Sequence, residues 1–230
     1  AATIKALYRD ARHRKLLSPA ETINGISVGA VHLDEAQVAH QGNRVDPFGR
    51  PLPSPVSAFG SGYRRAIKPD VIFYGGRQWY RLPLQPTNPV TIEPAIFRTT
   101  PGNKVASPGS LAGELNATSY SCGTSNATAL ISRAAGICYD SLQQIFNEQA
   151  AEVDPSNYEV PLLKAMLVHG CSWGDIGSRI SEVLRTPENG RQLTGLISRW
   201  IGYGIPVVDR VQDCTEQRAT VLGFGQLSDG

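Results

Sequence analysis

The sequence predicts an α/β fold in which a parallel sheet carries helices on both faces. Residues 26–33 mix β-branched with small residues, which is typical of a strand buried on both faces of a parallel sheet. Residues 71–74, Val-Ile-Phe-Tyr, predict the next short core strand. From Ala127 onward, apolar residues recur at three- and four-residue spacing and predict a helix that continues towards Gln149. A chain of 230 residues is long enough to bury a sizeable core within one domain.

The segment Ser121-Cys122-Gly123-Thr124-Ser125-Asn126-Ala127-Thr128-Ala129 is interpreted as a turn that opens this helix. The apolar stripe behind it consists of Ala127, Leu130, Ile131, Ala134, Cys138, Leu142 and Ile145. Because the first half of the helix is almost free of charge, we expect it to lie inside the domain. Thr124 or Ser125 can cap the helix through its hydroxyl. Alternatively, Ser125 is a nucleophile, since the unpaired amides and the dipole of a first turn stabilise negative charge.

The segments before the turn predict a surface helix and two irregular stretches. Residues 3–16 are compatible with a helix that ends before Ser18-Pro19, so residues 1–17 are expected to form a surface helix or arm. Residues 41–62 are rich in Pro, Gly and Ser, which favours a long surface loop or insertion. Residues 77–108 are expected to contain a hairpin with arms at 90–92 and 96–99.

The segments after the central helix predict further helices and a final strand. Apolar spacing predicts helices over residues 160–169, 176–184 and 193–200, and a short helix over residues 206–211. Residues 219–224 are expected to form a strand, so that residues 214–230 begin a truncated carboxy-terminal β segment.

Composition argues against several function classes. The formal net charge is +2 and no long basic block occurs, so nucleic-acid binding is not supported. The four cysteines are widely spaced, which indicates neither a zinc site nor a dense disulfide framework, although two bridges are arithmetically allowed. Free thiols fit a reducing compartment, so we expect a cytoplasmic protein. We expect no membrane partner, since neither an apolar run of membrane-spanning length nor a signal peptide occurs. Because the first residue is Ala1, we expect the chain to be a piece of a longer one.

Three ordered motifs resemble the subtilisin-like serine peptidases. Residues 123–129 resemble the Gly-Thr-Ser-x-Ala-Thr-Pro signature around the nucleophile of that family, with Ala129 in place of the usual proline. Residues 18–31, which include Asn-Gly-Ile-Ser-Val-Gly-Ala-Val, are similar to the segment leading into a core strand. Residues 67–76 contain Ile-Lys-Pro-Asp-Val and end in Gly-Gly where the family usually has Ala-Pro-Gly. The resemblance covers about residues 18–222.

This resemblance implies a serine endopeptidase that cleaves polypeptide substrates through an acyl-enzyme. Residues 18–213 would form the later part of a subtilisin-like catalytic domain, incomplete at its amino-terminal side. Ser125 would be the nucleophile and its backbone amide an oxyanion donor, with the hydroxyl of Thr124 nearby. Asn126 would lie beside the nucleophile on the leaving-group side, and Gly123 would let the substrate backbone approach closely.

The family's other catalytic motifs do not occur before Ser125. In subtilases the triad aspartate and histidine, in Asp-Ser/Thr-Gly and His-Gly-Thr motifs, precede the serine, and so does the oxyanion-hole asparagine. We therefore expect all three outside this chain. The alternatives are an inactive subtilase-like binding or regulatory module, and an unrelated α/β domain in which Gly-Thr-Ser is only a cap. A buried Ser125 side chain would contradict the prediction of a peptidase.

Other residues that invite a catalytic role are interpreted as structural. His169, although followed by glycine, ends a predicted helix, and Asp140 lies within one. Asp70 is expected to bond locally, and Cys122 to line the cleft or pack. Finally, His32 and His40 are expected to be exposed or locally bonded loop histidines.

The carboxy-terminal part suggests a narrower group and a partner. Residues 162–170 and 202–206 are similar to the end of the subtilase catalytic domain, and most resemble a bacterial group encoded beside an AAA-type ATPase and associated with phage defence. The resemblance therefore implies an AAA-type ATPase as a partner. No cofactor is expected, and no residues have metal-ligand spacing. Because some subtilases bind calcium through loop oxygens, the question whether this protein binds calcium stays open.

Overall fold

The computed structural model describes residues 1–37, 42–49, 51–85, 91–95, 99–148, 155–213, 215–217 and 219–223. Parts of the predicted hairpin at 90–92 and 96–99 lie outside these residues. His40 and Cys214 lie outside them as well.

Two parallel strands form the centre of the domain. Strand β1 (Val28–Val31) pairs with β3 (Val71–Tyr74), with Val28 opposite Val71 and Val31 opposite Tyr74. Both strands were predicted, and β1 is shorter than the expected 26–33. Their parallel pairing and the helices around them confirm the α/β class.

Helices cover both faces of this pair because successive residues of a strand point to opposite sides. Val71 packs in one core cluster with Ile131 and Leu167, whereas Ile72 packs in another with Ile180 and Trp200. On the first face lie α2 (Thr124–Glu148), α3 (Glu159–His169) and α6 (Asp209–Gln212). On the second face lie α1 (Ala2–Arg9), α4 (Gly174–Leu184) and α5 (Leu193–Ile201).

Among the described residues, three small antiparallel sheets lie around the core, and the sequence reasoning did not anticipate them. One joins β2 (Arg44–Val45), β4 (Trp79–Arg81) and β5 (Glu93–Ala95). The second is the hairpin of β6 (Asn103–Ala106) and β7 (Thr118–Ser121), which leads the chain into the serine turn. The third pairs β8 (Cys171–Ser172) with β9 (Ile205–Pro206).

Two amino-terminal segments contribute to the core, so the predictions for them are confirmed only in part. The helix predicted over residues 3–16 ends at Arg9 and is followed by a short 3-10 turn at Ala11–His13. Helix α1 is a surface helix, the first of the two predicted alternatives: only Ile4 is buried in the core, and its contacts there make the segment part of the domain and not an arm. Residues 51–59 are not a surface loop either, because Phe59 is a core residue and the Ser57 hydroxyl accepts a 2.7 Å hydrogen bond from the Ala30 amide of β1.

The serine helix α2 has the predicted stripe but lies on the sheet with one face in solvent. The buried side chains are Ala127, Ile131, Ala134, Cys138 and Leu142. Thr128, Arg133 and Ile137 on the other face are exposed, so the expectation that the first half lies inside the domain was wrong. Neutral side chains can be buried at little cost, but they can equally well be exposed. The absence of charge was therefore not sufficient to predict that the helix is buried.

The three helices after α2 were predicted, whereas the end of the described chain differs. Pro206, expected to start a helix, lies in β9, and α6 begins three residues later. Residues 219–223 contain no strand, and Val221 is 89% exposed. In the part of the chain that the structure describes, none of the helices combines the length and the apolar character that crossing a bilayer requires.

Candidate active site

The serine turn is built on a glycine at the start of α2. Gly123 has φ of +148°, a conformation that favours glycine, and no described atom lies within 4 Å of the position a Cβ would take. Its amide donates a 2.8 Å hydrogen bond to the Gly75 carbonyl after β3. Since α2 begins at Thr124, Gly123 occupies the N-cap position. The turn therefore has an open outer side where Gly123 lies.

Ser125 is exposed in the first turn of α2, and Thr124 is half-buried. Neither hydroxyl makes a side-chain hydrogen bond to another described residue, so the prediction that one of them caps the helix was wrong. Glycine at the N-cap leaves the first amides of α2 without a capping side chain. The helix start therefore presents a free hydroxyl next to unpaired backbone donors.

Three more glycines allow neighbouring backbones to approach this turn. A Cβ at Gly75 would lie 2.5 Å from the Ala30 Cβ and 2.9 Å from the Gly123 carbonyl oxygen. At Gly76 and Gly102, a Cβ would lie 2.8 Å and 2.6 Å from the Ser121 carbonyl oxygen. Side chains at these positions would push the turn away from the ends of β3 and β6.

Asp34, which follows β1, connects the segments that contain Gly76 and Gly102 to the end of that strand by hydrogen bonds. Its side chain is 2% exposed and accepts hydrogen bonds from the amides of Ala36 (2.9 Å), Arg77 (2.7 Å) and Gly102 (3.0 Å). The Arg77 guanidinium also contacts it, through Nη2 at 2.9 Å and Nε at 3.2 Å. Sequence reasoning missed Asp34, which carries no motif and bonds to residues 43 and 68 positions away.

Asn126 holds the turn from the other side. Its Nδ2 donates to the Ser121 carbonyl at 2.9 Å and is 3.4 Å from the Gly75 carbonyl. The Ser121 hydroxyl lies 3.1 Å from Asn126 Oδ1. The side chain thus links α2 to the end of β7, and its expected place on the leaving-group side stays a prediction.

The expectation for His32 was wrong. The residue is 2% exposed, and its Nε2 lies 3.1 Å from Oδ1 of Asp46, fourteen residues along the chain. The Gln78 amide donates to Nδ1 at 3.4 Å. Burial raises the pKa of Asp46, but the His32 hydrogen bond and the Phe48 amide outweigh it, so that the pKa is lowered. Both ring nitrogens of His32 therefore contact other residues of the fold.

Asp70 is buried and bonds locally to Lys68, as expected, and it also connects two distant segments. Its carboxylate accepts from the Ser27 amide at 2.7 Å and from Lys164 Nζ at 2.9 Å, and it contacts Lys68 Nζ. Burial raises the pKa of Asp70, but the hydrogen bonds from Lys68, Ser27 and Lys164 outweigh it and the pKa is lowered. His169 lies exposed in the last turn of α3 and Asp140 lies exposed within α2, at the helical positions predicted for them.

Cys122 is exposed three residues before Ser125. Although the residue reaches the surface, burial of the sulfur raises the pKa of the thiol, and the negative charge of Asp34 raises it further. The thiolate is the nucleophilic form of cysteine, so Cys122 is poorly suited to replace Ser125. Beside this turn, an open cleft of about 920 Å³ follows α2 and is lined in part by Tyr74, Tyr120 and Arg133.

A model of the subtilase family matches residues 8–204. Because the match covers most of the chain, the protein belongs to the subtilase family, the S8-type serine peptidases. This confirms the resemblance carried by the serine turn and the two upstream motifs. No curated protein and no solved structure matches the chain. The ATPase partner and the roles of Gly123, Thr124, Ser125 and Asn126 stay predictions, and calcium binding stays open.

Proposed function

We propose that this chain is the serine-bearing part of an endopeptidase that cleaves polypeptides through an acyl-enzyme on Ser125. The observation that carries the proposal is the exposed Ser125 hydroxyl in the first turn of α2, which makes no side-chain hydrogen bond to another described residue, within a chain of the subtilase family. A helix cap would use such a hydroxyl locally, whereas a nucleophile needs it free and accessible.

The chemistry follows from this geometry. Ser125 Oγ attacks the scissile carbonyl carbon and gives its proton to a general base, and the Ser125 amide donates to the oxyanion that forms. The base returns the proton to the leaving amine as the peptide bond breaks. Water then hydrolyses the ester and restores the serine. Gly123, which has no Cβ, leaves room for the substrate backbone beside the turn.

The general base and its carboxylate partner are assigned to sequence outside these 230 residues. None of the described histidines, His13, His32 and His169, makes a hydrogen bond with Ser125. In subtilisin, loss of the serine or the histidine lowers kcat by about 10⁶-fold. We therefore expect the rate of peptide hydrolysis by this chain alone to be close to the uncatalysed background. The complete gene product is expected to supply both missing groups.

Labelling by a fluorophosphonate probe tests the proposal, because the probe reacts with activated serines. The complete gene product and the 230-residue chain are compared with Ser125→Ala. Ser132→Ala is the matched control, since Ser132 is also exposed on α2. We expect the complete product to be labelled, Ser132→Ala to keep the label, and both Ser125→Ala and the 230-residue chain to lose it.

Each other outcome has a definite meaning. A folded complete product without label would contradict the peptidase and favour an inactive binding or regulatory module. Labelling that survives Ser125→Ala would assign the nucleophile elsewhere. Labelling of the 230-residue chain would mean that one of its own residues acts as the base.

A further inference from the structure

We propose that the groove between α1 and α5 is a docking site for an acidic polypeptide segment that carries apolar side chains. The groove has a volume of about 510 Å³ and is lined by Tyr8, Arg9, Ala11, Arg12, Lys15, Phe59, Gly60, Leu196 and Arg199. None of these residues belongs to the serine turn, so this proposal does not depend on the proposed peptidase activity.

The floor of the groove is apolar and held by main-chain hydrogen bonds. The half-buried Ala11 and Leu196 supply apolar surface to the floor, and the buried Phe59 supports them from within the core. The Leu16 amide donates to the Phe59 carbonyl at 2.9 Å, and the Gly60 amide donates to the Arg199 carbonyl at 2.8 Å. These bonds tie the segment after α1, the segment around Phe59 and α5 together. A preformed concave apolar surface of this kind takes apolar side chains from a partner at low ordering cost.

The rim of the groove is cationic. Arg9, Arg12, Lys15 and Arg199 are all exposed, and none forms an ion pair with another described residue. The lining contains no acidic residue. Since the whole chain carries a net charge of only +2, four unpaired cations around one groove are a local concentration of charge. Such a rim attracts an anionic partner and sets its position.

The groove fits an acidic peptide better than a single-stranded nucleic acid. Nucleic acids gain much of their affinity from bases stacked on exposed aromatic rings. Phe59 is 5% exposed, and the Arg14 guanidinium lies over its ring at 5.6 Å, so that this ring offers no free face. Only Tyr8 remains as an exposed aromatic residue of the lining. Aspartate and glutamate side chains alternating with leucine would match both the rim and the floor.

Fluorescence anisotropy with a labelled synthetic peptide of alternating acidic and leucine residues tests the proposal. The 230-residue chain carries Ser125→Ala throughout, so that no cleavage complicates the signal. We expect binding that weakens with salt and that falls by about tenfold or more in Arg12→Glu/Arg199→Glu, because two attractions become repulsions. Arg185→Glu/Arg191→Glu is the matched control, since both residues are exposed between α4 and α5. This control should bind like the parent.

Two further ligands separate the contributions of floor and rim. A peptide with glycine in place of leucine should bind several-fold more weakly, and a single-stranded oligonucleotide of equal charge should bind more weakly still. If the charge-reversed variant does not fold by circular dichroism, Arg12→Gln/Arg199→Gln takes its place, with an expected loss of about threefold or more. No binding of the leucine peptide, equal loss in the control variant, or tighter binding of the oligonucleotide would overturn the proposal.

Discussion

Asp34→Ala is the substitution that most directly tests how the serine turn is held. Asp34 accepts hydrogen bonds from three backbone amides and from the Arg77 guanidinium, and its side chain is 2% exposed. Alanine removes every one of these acceptors. It leaves the amides of Arg77 and Gly102 without their partner at the point where the glycine segments contact the turn.

The expected magnitude follows from burial. Removing one partner of a buried ion pair costs about 3–5 kcal/mol in the free energy of unfolding. The Arg77 side chain is 27% exposed, so that water can solvate part of its charge, and the lower end of about 3 kcal/mol applies here. For a chain of this size, each kcal/mol lowers Tm by roughly 2–4 °C. We therefore expect Tm to fall by roughly 6–12 °C.

Urea unfolding followed by circular dichroism measures this effect as a shift in midpoint at an unchanged slope. Asp175→Ala is the matched control, because Asp175 also pairs with an arginine but its side chain is 87% exposed. Its expected cost is about 0.3–0.5 kcal/mol, as for other exposed pairs at this helical spacing. A cost for Asp34→Ala below about 1 kcal/mol, or one equal to that of the control, would refute the argument that Asp34 holds these segments.

Three further predictions use the same structural features. In urea unfolding, Gly75→Ala should destabilise the fold by about 1–3 kcal/mol, because the new Cβ would overlap neighbouring atoms. Gly136→Ala in α2 should instead stabilise the fold by up to about 1 kcal/mol, because its Cβ would meet no atom within 4 Å. The pKa of Asp70 is lowered by folding, so its stabilisation is complete above its unfolded pKa of about 3.9 and is lost as the pH falls through its folded pKa. The unfolding free energies of the wild type and Asp70→Asn should therefore converge below about pH 4, and a constant difference would contradict this. Iodoacetamide should alkylate Cys122 slowly at neutral pH and faster as the pH rises, while Cys138 stays unmodified in the native protein, as read by peptide mass spectrometry.

The central strands and the serine helix could be predicted because their signals are local. A short apolar run such as residues 71–74 and a three- and four-residue repeat such as that of α2 each depend on the segment's own residues. The same repeat identified which side chains of α2 are buried. It did not reveal that the other face is exposed, because small neutral residues are compatible with either environment.

The long-range polar contacts of Asp34 and Asp70 could not be predicted because their partners are far apart in sequence. Asp34 bonds to Arg77 and Gly102, and Asp70 bonds to Lys164, across separations that only the folded chain brings together. Each aspartate by itself is an ordinary residue at the end or beginning of a strand. The histidine prediction failed for the same reason, since nothing near His32 in sequence indicates its buried pairing with Asp46.

The N-cap of α2 connects the stability of the turn with its chemistry. Serine or threonine at the N-cap would satisfy one of the first amides with its own hydroxyl, and glycine there is less favourable by only a few tenths of a kcal/mol. With Gly123 at this position, the hydroxyl of Ser125 and the first amides of α2 have no capping partner among the described residues. The turn is held instead by Asn126, which bonds to Ser121, and by the Gly75 carbonyl, which accepts from the Gly123 amide. Departures from local preference are expected at functional sites when distant contacts stabilise them, and this helix start has that arrangement.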